Sequence, residues 1–208
     1  NLSWITELLT SGRLGEIEQK RAEYFKILKD NISKMEELIS NLILVSKIET
    51  ATLPSKEKEI SLSDLISELI SEFSPVARAS NVEIKFVKKS DIPKVLIDPS
   101  QIRIVLKKLI DNAIRYTQNK NEVVISLEKR GKTIYFEIKD MGIGIPKEDQ
   151  KYIFQKFFRS ANVLKYQTQG LGLGLYIAKS FIERSGGKIG FESQENKGSK
   201  FWFTLPIK

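Results

Sequence analysis

The sequence predicts an α+β protein: a helical hairpin that pairs with a second copy as a four-helix bundle, followed by an α/β sandwich with a mixed sheet. Three observations carry that expectation. Residues 16–49 run without glycine or proline, and Leu28, Ile32, Met35, Ile39 and Leu42 recur at alternating steps of four and three. That is the period of a coiled-coil seam. From residue 62 onward, short alternating apolar runs are interleaved with amphipathic helical stretches, as in a layered fold. Two glycine clusters, at 140–146 and 170–174, sit between these elements, where the backbone must turn or approach a ligand closely.

The elements follow in order. Leu2, Ile5, Leu8 and Leu9 give a short helix over residues 1–11, broken at Gly12–Gly15. The long helix runs from Glu16 to Glu49, and Val45 and Ile48 extend its seam. Residues 1–52 are the hairpin, 53–61 a polar linker with Pro54, and 62–208 the sandwich. Ser61 or Ser63 caps a helix carrying Leu65, Ile66, Leu69, Ile70 and Phe73. Val82–Val87 and Lys94–Ile97 alternate as strands. Asp98-Pro99 opens a helix to about Tyr116, with Ile102, Val105, Leu106, Leu109, Ile110 and Ala113 as its buried stripe. Val123–Glu128 and Ile134–Lys139 are strands. A short aromatic helix contains Ile153, Phe154, Phe157 and Phe158. Residues 159–170 read as a mobile loop, Leu173–Arg184 as a helix, and Lys188–Ser193 with Lys200–Leu205 as a closing strand pair.

Composition excludes several chemistries. The 208 residues contain no cysteine and no histidine, so disulfides, thiolate zinc sites and Ser-His-Asp triads are absent. Lys and Arg outnumber Asp and Glu by 34 to 26, a net charge of +8 that favours anionic partners. The basic residues are interleaved with acidic ones, so no nucleic-acid arm stands out. No apolar run approaches the ~18–20 residues of a membrane span, so no membrane contact is expected of this stretch. The opening Asn1-Leu2-Ser3-Trp4 reads as a helix joined midway, so the chain is expected to be a fragment of a longer one.

Neither glycine cluster matches the P-loop or the dinucleotide spacing. Each alone reads as a turn as readily as a site. Asn112 lies beside the buried-stripe Ala113, where a polar amide needs a partner. Taken together the elements form an ordered set: Asn112-Ala113-x-x-Tyr116, Asp140-x-Gly142-x-Gly144, Phe154-x-x-Phe157, Gly170-x-Gly172-x-Gly174 and Gly198-Ser199. That set resembles the nucleotide boxes of the histidine-kinase ATPase domain, a relative of DNA gyrase B, Hsp90 and MutL. The likeness covers about residues 62–208. Residues 1–50 resemble the dimerisation and phosphotransfer hairpin of the same sensor kinases.

The resemblance implies a cytoplasmic protein-histidine kinase of a two-component phosphorelay, with ATP and Mg²⁺ as cofactors. Asn112 would ligate Mg²⁺, Asp140 would accept the adenine amino group, and Tyr116 would pack on the base or ribose. Gly142, Gly144 and Ile145 would line the base. Arg115 and Arg159 would meet phosphates. Gly170, Leu171, Gly172, Leu173 and Gly174 would cradle them, and Ser199 would complete the pocket. Phe154 and Phe157 would anchor the lid against the core. Lys108 stands where relatives carry a second Asn or the water-activating Glu, and is read either as a phosphate contact or as a solvent-facing residue. A charged Lys cannot serve as that base, which argues against hydrolysis as the purpose. The phosphoacceptor His is expected upstream of Asn1. The expected partners are a second copy, through the hairpin, and a response-regulator receiver docking near Leu2, Trp4, Ile5, Leu8, Asn41, Leu42 and Val45. The alternative is a nucleotide-binding pseudokinase or scaffold without phosphotransfer.

Overall fold

The computed structural model describes residues 18–117, 122–166 and 170–207. The chain divides into two compact units, Asn1–Ala51 and Thr52–Lys208. In the first, the described residues form one helix, α1 (Glu18–Glu49). Its length is about 48 Å at 1.5 Å per residue. The helix expected over residues 1–11 lies outside the described residues, as do Leu2, Trp4, Ile5 and Leu8. Along α1, Ile32, Met35, Ile39 and Leu42 are between 45% and 53% exposed. The helix stops at Ala51, whose φ of 53° is left-handed and ends the run of helical bonds.

The second unit is built on a five-stranded sheet. Its strands are β2 (Glu83–Lys88), β4 (Glu122–Arg130), β5 (Thr133–Lys139), β6 (Lys188–Gln194) and β7 (Gly198–Pro206), in the order β2-β4-β5-β7-β6. β2 runs parallel to β4 and every other pair is antiparallel, so the sheet is mixed as expected. A second, two-stranded sheet joins β1 (Lys58–Ile60) to β3 (Val95–Ile97). Helices α2 (Leu62–Ala79), α3 (Pro99–Tyr116) and α5 (Gly174–Arg184) pack on the large sheet. The period-two pattern sets the covered face: Val123, Ile125 and Leu127 of β4, Ile134, Phe136 and Ile138 of β5, and Phe203 and Leu205 of β7 are all buried. Phe136 stacks on Phe203 at 4.6 Å between centroids. The whole predicted stripe of α3 is buried. Each large apolar side chain so covered contributes roughly 1.5–3 kcal/mol.

The helix starts follow cap chemistry. The Ser61 hydroxyl accepts from Asp64 N at 3.2 Å. Asp98 Oδ1 accepts from Ser100 N at 2.9 Å and Gln101 N at 3.2 Å, ahead of Pro99. Burial works to raise the Asp98 carboxyl, but bonds from Lys56, Ser100 and Gln101 outweigh it, so the group lies below its ordinary range. Residues 53–60 are tied to this unit: Arg184 donates to Leu53 O at 3.1 Å, and Lys56 N donates to Asp98 Oδ2 at 2.8 Å.

Two expectations are corrected. The aromatic stretch is no α-helix. A single 3₁₀ turn, Gln150–Tyr152, passes into turns, and Phe157 takes a φ of 64° that no helix can continue through. Phe157 is 59% exposed instead of anchored in the core, while Phe154 packs edge-on against Phe191 at 5.9 Å. The stretch read as a mobile loop contains the short helix α4 (Ala161–Tyr166); residues 167–169 lie outside the described residues.

Candidate nucleotide site

The site begins at the C-terminal end of α3. Lys108 and Asn112 lie one helical turn apart on one face of that helix. Arg115 Nε donates to Asp111 at 2.7 Å, so the cation expected at a phosphate is held on its own helix. Partial burial raises the Tyr116 hydroxyl above its ordinary value, against the lowering charges of Arg159 and Arg115. Those two charges therefore bear on one side chain.

Backbone contacts stitch the end of α3 to the first glycine loop. Thr117 bridges antiparallel to Gly142, and Ile143 N donates to Tyr116 O at 3.1 Å. A Cβ on Gly142 would lie 2.0 Å from Tyr116 O, which leaves no residue but glycine at this approach.

Asp140 follows β5 directly and is only 4% exposed. Its Oδ1 accepts from Gly142 N at 2.9 Å and from Ser199 N at 3.2 Å. Burial pushes its carboxyl up to about 6, and the two backbone bonds oppose the rise. Ser199 Oγ lies 2.9 Å from Ser193 Oγ, which in turn accepts from Ile145 N at 2.9 Å. Asp140, Gly142, Ile145 and Ser199 are thus joined in one hydrogen-bonded loop cluster, and Gly144 lies in the loop between Gly142 and Ile145.

The second glycine cluster meets the aromatic turn. Phe157 N donates to Gly172 O at 3.1 Å. Gly172 has a φ of 68°, and a Cβ there would stand 2.4 Å from Phe158 O. Arg159 donates to Gly170 O at 3.2 Å. Leu173 is buried, Leu171 half-buried, and no side chain caps the start of α5 at Gly174. Such a helix start offers N–H groups to an anion. The Lys108 stem lies 3.6 Å from where a Gly174 Cβ would sit, so α3 and the second glycine cluster meet there.

Sequence reasoning missed several participants. Ser193 and Gln150 buttress the loop; Gln150 Nε2 donates to Ile145 O at 3.0 Å and to Ser193 O at 3.1 Å. The Thr117 hydroxyl is buried without a hydrogen-bond partner among the described residues. Asn162 donates to Gly144 O at 3.0 Å. Ser193, Gln150 and Asn162 are isolated polar residues that each bond to a distant part of the chain, so no local pattern marks them.

Comparison with known proteins places this geometry. The family model described as histidine kinase-, DNA gyrase B-, and HSP90-like ATPase matches residues 97–208, more than half of the chain. The circadian input-output histidine kinase CikA of Synechococcus elongatus is 29% identical over 92% of this chain and 26% of its own length. The chain thus spans about a quarter of that relative. Full-length ShkA in complex with AMPPNP superposes with a TM-score of 0.78 at 21% identity, covering 94% of this chain and 40% of that one. Histidine kinase ThkA in complex with response regulator TrrA gives 0.73 at 26%, covering 100% and 57%. No described helix is long and apolar enough to cross a membrane. The chain belongs to the histidine kinase-, DNA gyrase B- and HSP90-like ATPase family, and its second unit is an ATP-binding domain of the sensor-histidine-kinase kind.

Proposed function

We propose that this chain is the catalytic core of a sensor histidine kinase, which binds Mg·ATP in its second unit and passes the γ-phosphate to a histidine outside these 208 residues. The phosphate then moves to an aspartate of a response-regulator receiver. The observation that carries the reading is Asp140: a buried carboxylate with both backbone bonds on Oδ1. Its other oxygen is left to accept the exocyclic amine of adenine, a group that guanine lacks at that position. Gly142 and Gly144 bring the backbone beside the base, and Tyr116 packs against it or the ribose.

At the phosphate end, Gly170–Gly174 and the uncapped start of α5 receive the anion. Lys108 and Arg159 add positive charge beside the negative charge of the transferring phosphoryl group. Arg115 joins them once it exchanges Asp111 for phosphate. The donor set fits Mg²⁺. Asn112 offers a hard amide oxygen, and no cluster of three acidic, histidine or cysteine side chains exists among the described residues to form a protein cage. An ion that keeps several waters and leans on phosphates needs only one such ligand. When bound, Mg²⁺ supplies charge neutralisation on the triphosphate. The chain's own residues position the donor and exclude water, consistent with a reaction that needs little covalent chemistry from the protein.

Two copies pair through α1, whose exposed apolar row suits a bundle. The receiver docks on the hairpin unit, a reading supported by the existence of a complex between the similar histidine kinase ThkA and the response regulator TrrA. Calorimetry with Mg·ATP tests the reading: Asn112→Ala and Asp140→Ala each abolish binding, and unchanged affinity in both removes the site assignment. Receiver phosphorylation by a longer chain containing the acceptor histidine then separates a kinase from a binding scaffold.

A further inference from the structure

The first turn of α4 is fastened to the glycine loop on the far side of the aromatic turn. Asn162 Nδ2 donates to Gly144 O at 3.0 Å. A carbonyl can only accept, so the amide nitrogen must face it and Oδ1 faces the other way. There Oδ1 lies 2.7 Å from the Ser160 hydroxyl, which also contacts the Asp149 carboxylate. Asp149 Oδ2 accepts in addition from Ala161 N at 3.3 Å. Ser160 is buried and Asn162 half-buried, so these bonds are partly shielded from competing water. From Gly144 the connection continues through Ile145 N, Ser193 and Ser199 to Asp140. One end of this chain of bonds is the proposed adenine acceptor. The other end is the segment carrying Arg159 and leading to Gly170.

We propose that Asn162 is a positioning residue that clips the phosphate-side segment to the adenine-side loop, holding that segment part-ordered before nucleotide binds. This rests on the nucleotide reading above. Its consequence is thermodynamic: a segment already held in place loses less conformational freedom when ATP arrives. Removing the clip therefore penalises ligands whose phosphates engage the segment, and spares ligands that touch only the base loop.

Three forms of the full chain test it: wild type, Asn162→Ala and Asn162→Asp. In nucleotide-free protein, Asn162→Ala raises amide exchange at residues 159–163 by roughly tenfold. Asn162→Asp keeps the size but lacks the donor and sets a carboxylate against the Gly144 carbonyl and Asp149, so its exchange is at least as fast. A role in filling space alone reverses that order, because the isosteric variant then behaves as wild type. By calorimetry, both variants bind ATP about three- to tenfold more weakly, with a smaller change for adenosine. Unchanged exchange in Asn162→Ala, wild-type behaviour of Asn162→Asp, or equal losses for ATP and adenosine each overturn the clip. Failure of the wild-type chain to bind ATP overturns the nucleotide reading instead, and the exchange comparison still decides whether the clip exists.

Discussion

In the proposed role, Asp140 sets adenine recognition against stability within one side chain. Its native value of about 6 lies above the ordinary 3.8 because burial disfavours the charge. The group therefore adds stability at pH below the unfolded value and loses that contribution as pH rises through about 6. At neutral pH the ionised form works against folding by about 2–3 kcal/mol, at 1.36 kcal/mol per unit. Asp140→Asn keeps an oxygen for Gly142 N and Ser199 N and removes the charge. It should raise stability at pH 7 by about 1–2 kcal/mol in urea unfolding while eliminating ATP binding. In wild type, affinity for adenosine, which carries no titrating phosphate, should fall as the pH drops below about 6. Titration calorimetry between pH 8 and pH 5 reads that directly. The glycines also separate by their surroundings. Gly142→Ala drives a methyl into Tyr116 O and should prevent the loop from forming, whereas Gly174→Ala meets only the Lys108 stem at 3.6 Å. Thermal melts should show the second variant within about 1 kcal/mol of wild type and the first destabilised by more than about 2 kcal/mol.

Among the elements, α1 and the aromatic turn show opposite relations between pattern and packing. The α1 row has few sites to bury it within its own helix, and about half of each of Ile32, Met35, Ile39 and Leu42 is exposed. Ile32→Asp with Ile39→Asp should leave the helix intact but give monomers. Sedimentation velocity checks this, and an unchanged dimer would reject pairing through α1. The aromatic turn carries helical spacing at Ile153, Phe154, Phe157 and Phe158, yet it forms no α-helix. Tertiary bonding explains the difference. Phe157 N is taken by Gly172 O, and the chain turns through a left-handed φ to reach it. A bond to the second glycine cluster outcompetes the local helix, and that bond is what brings the cluster to the site.

For the whole molecule, the boundary between the two units falls between Ala51 and Thr52 in the sequence. The second owns its hydrophobic core and the entire candidate site. A fragment of residues 52–208 should fold alone and bind ATP with the affinity of the full chain. A fragment of residues 62–208 lacks β1, its pairing with β3, the Leu53 carbonyl to which Arg184 donates and the Lys56 N–H from which Asp98 accepts. It should melt at a lower temperature, by several degrees if about 1–2 kcal/mol is lost. Scanning calorimetry on both fragments provides the check.

Most of the architecture was legible in the linear order of residues, because its signals are local. Apolar spacing on α2, α3 and α5, alternation on the strands, and the caps at Ser61 and Asp98 each act over a few residues, and all formed as their chemistry directs. The glycine boxes and Asn112 were legible as a set, since their order along the chain is distinctive even where each alone is not. β1 was not legible: Lys58-Glu59-Ile60 is too short and polar to read as a strand, and it exists because β3 offers it an edge. Arg115 kept its position on α3 but is held by Asp111, a pairing that i,i+4 spacing permits and that only the folded side chains select. The supports of the site — Ser193, Gln150 and Asn162 — depend on residues brought together from far along the chain. Hydrogen bonds of that kind have no periodicity, so they arise only when the sheet and helices have already placed their donors and acceptors within reach.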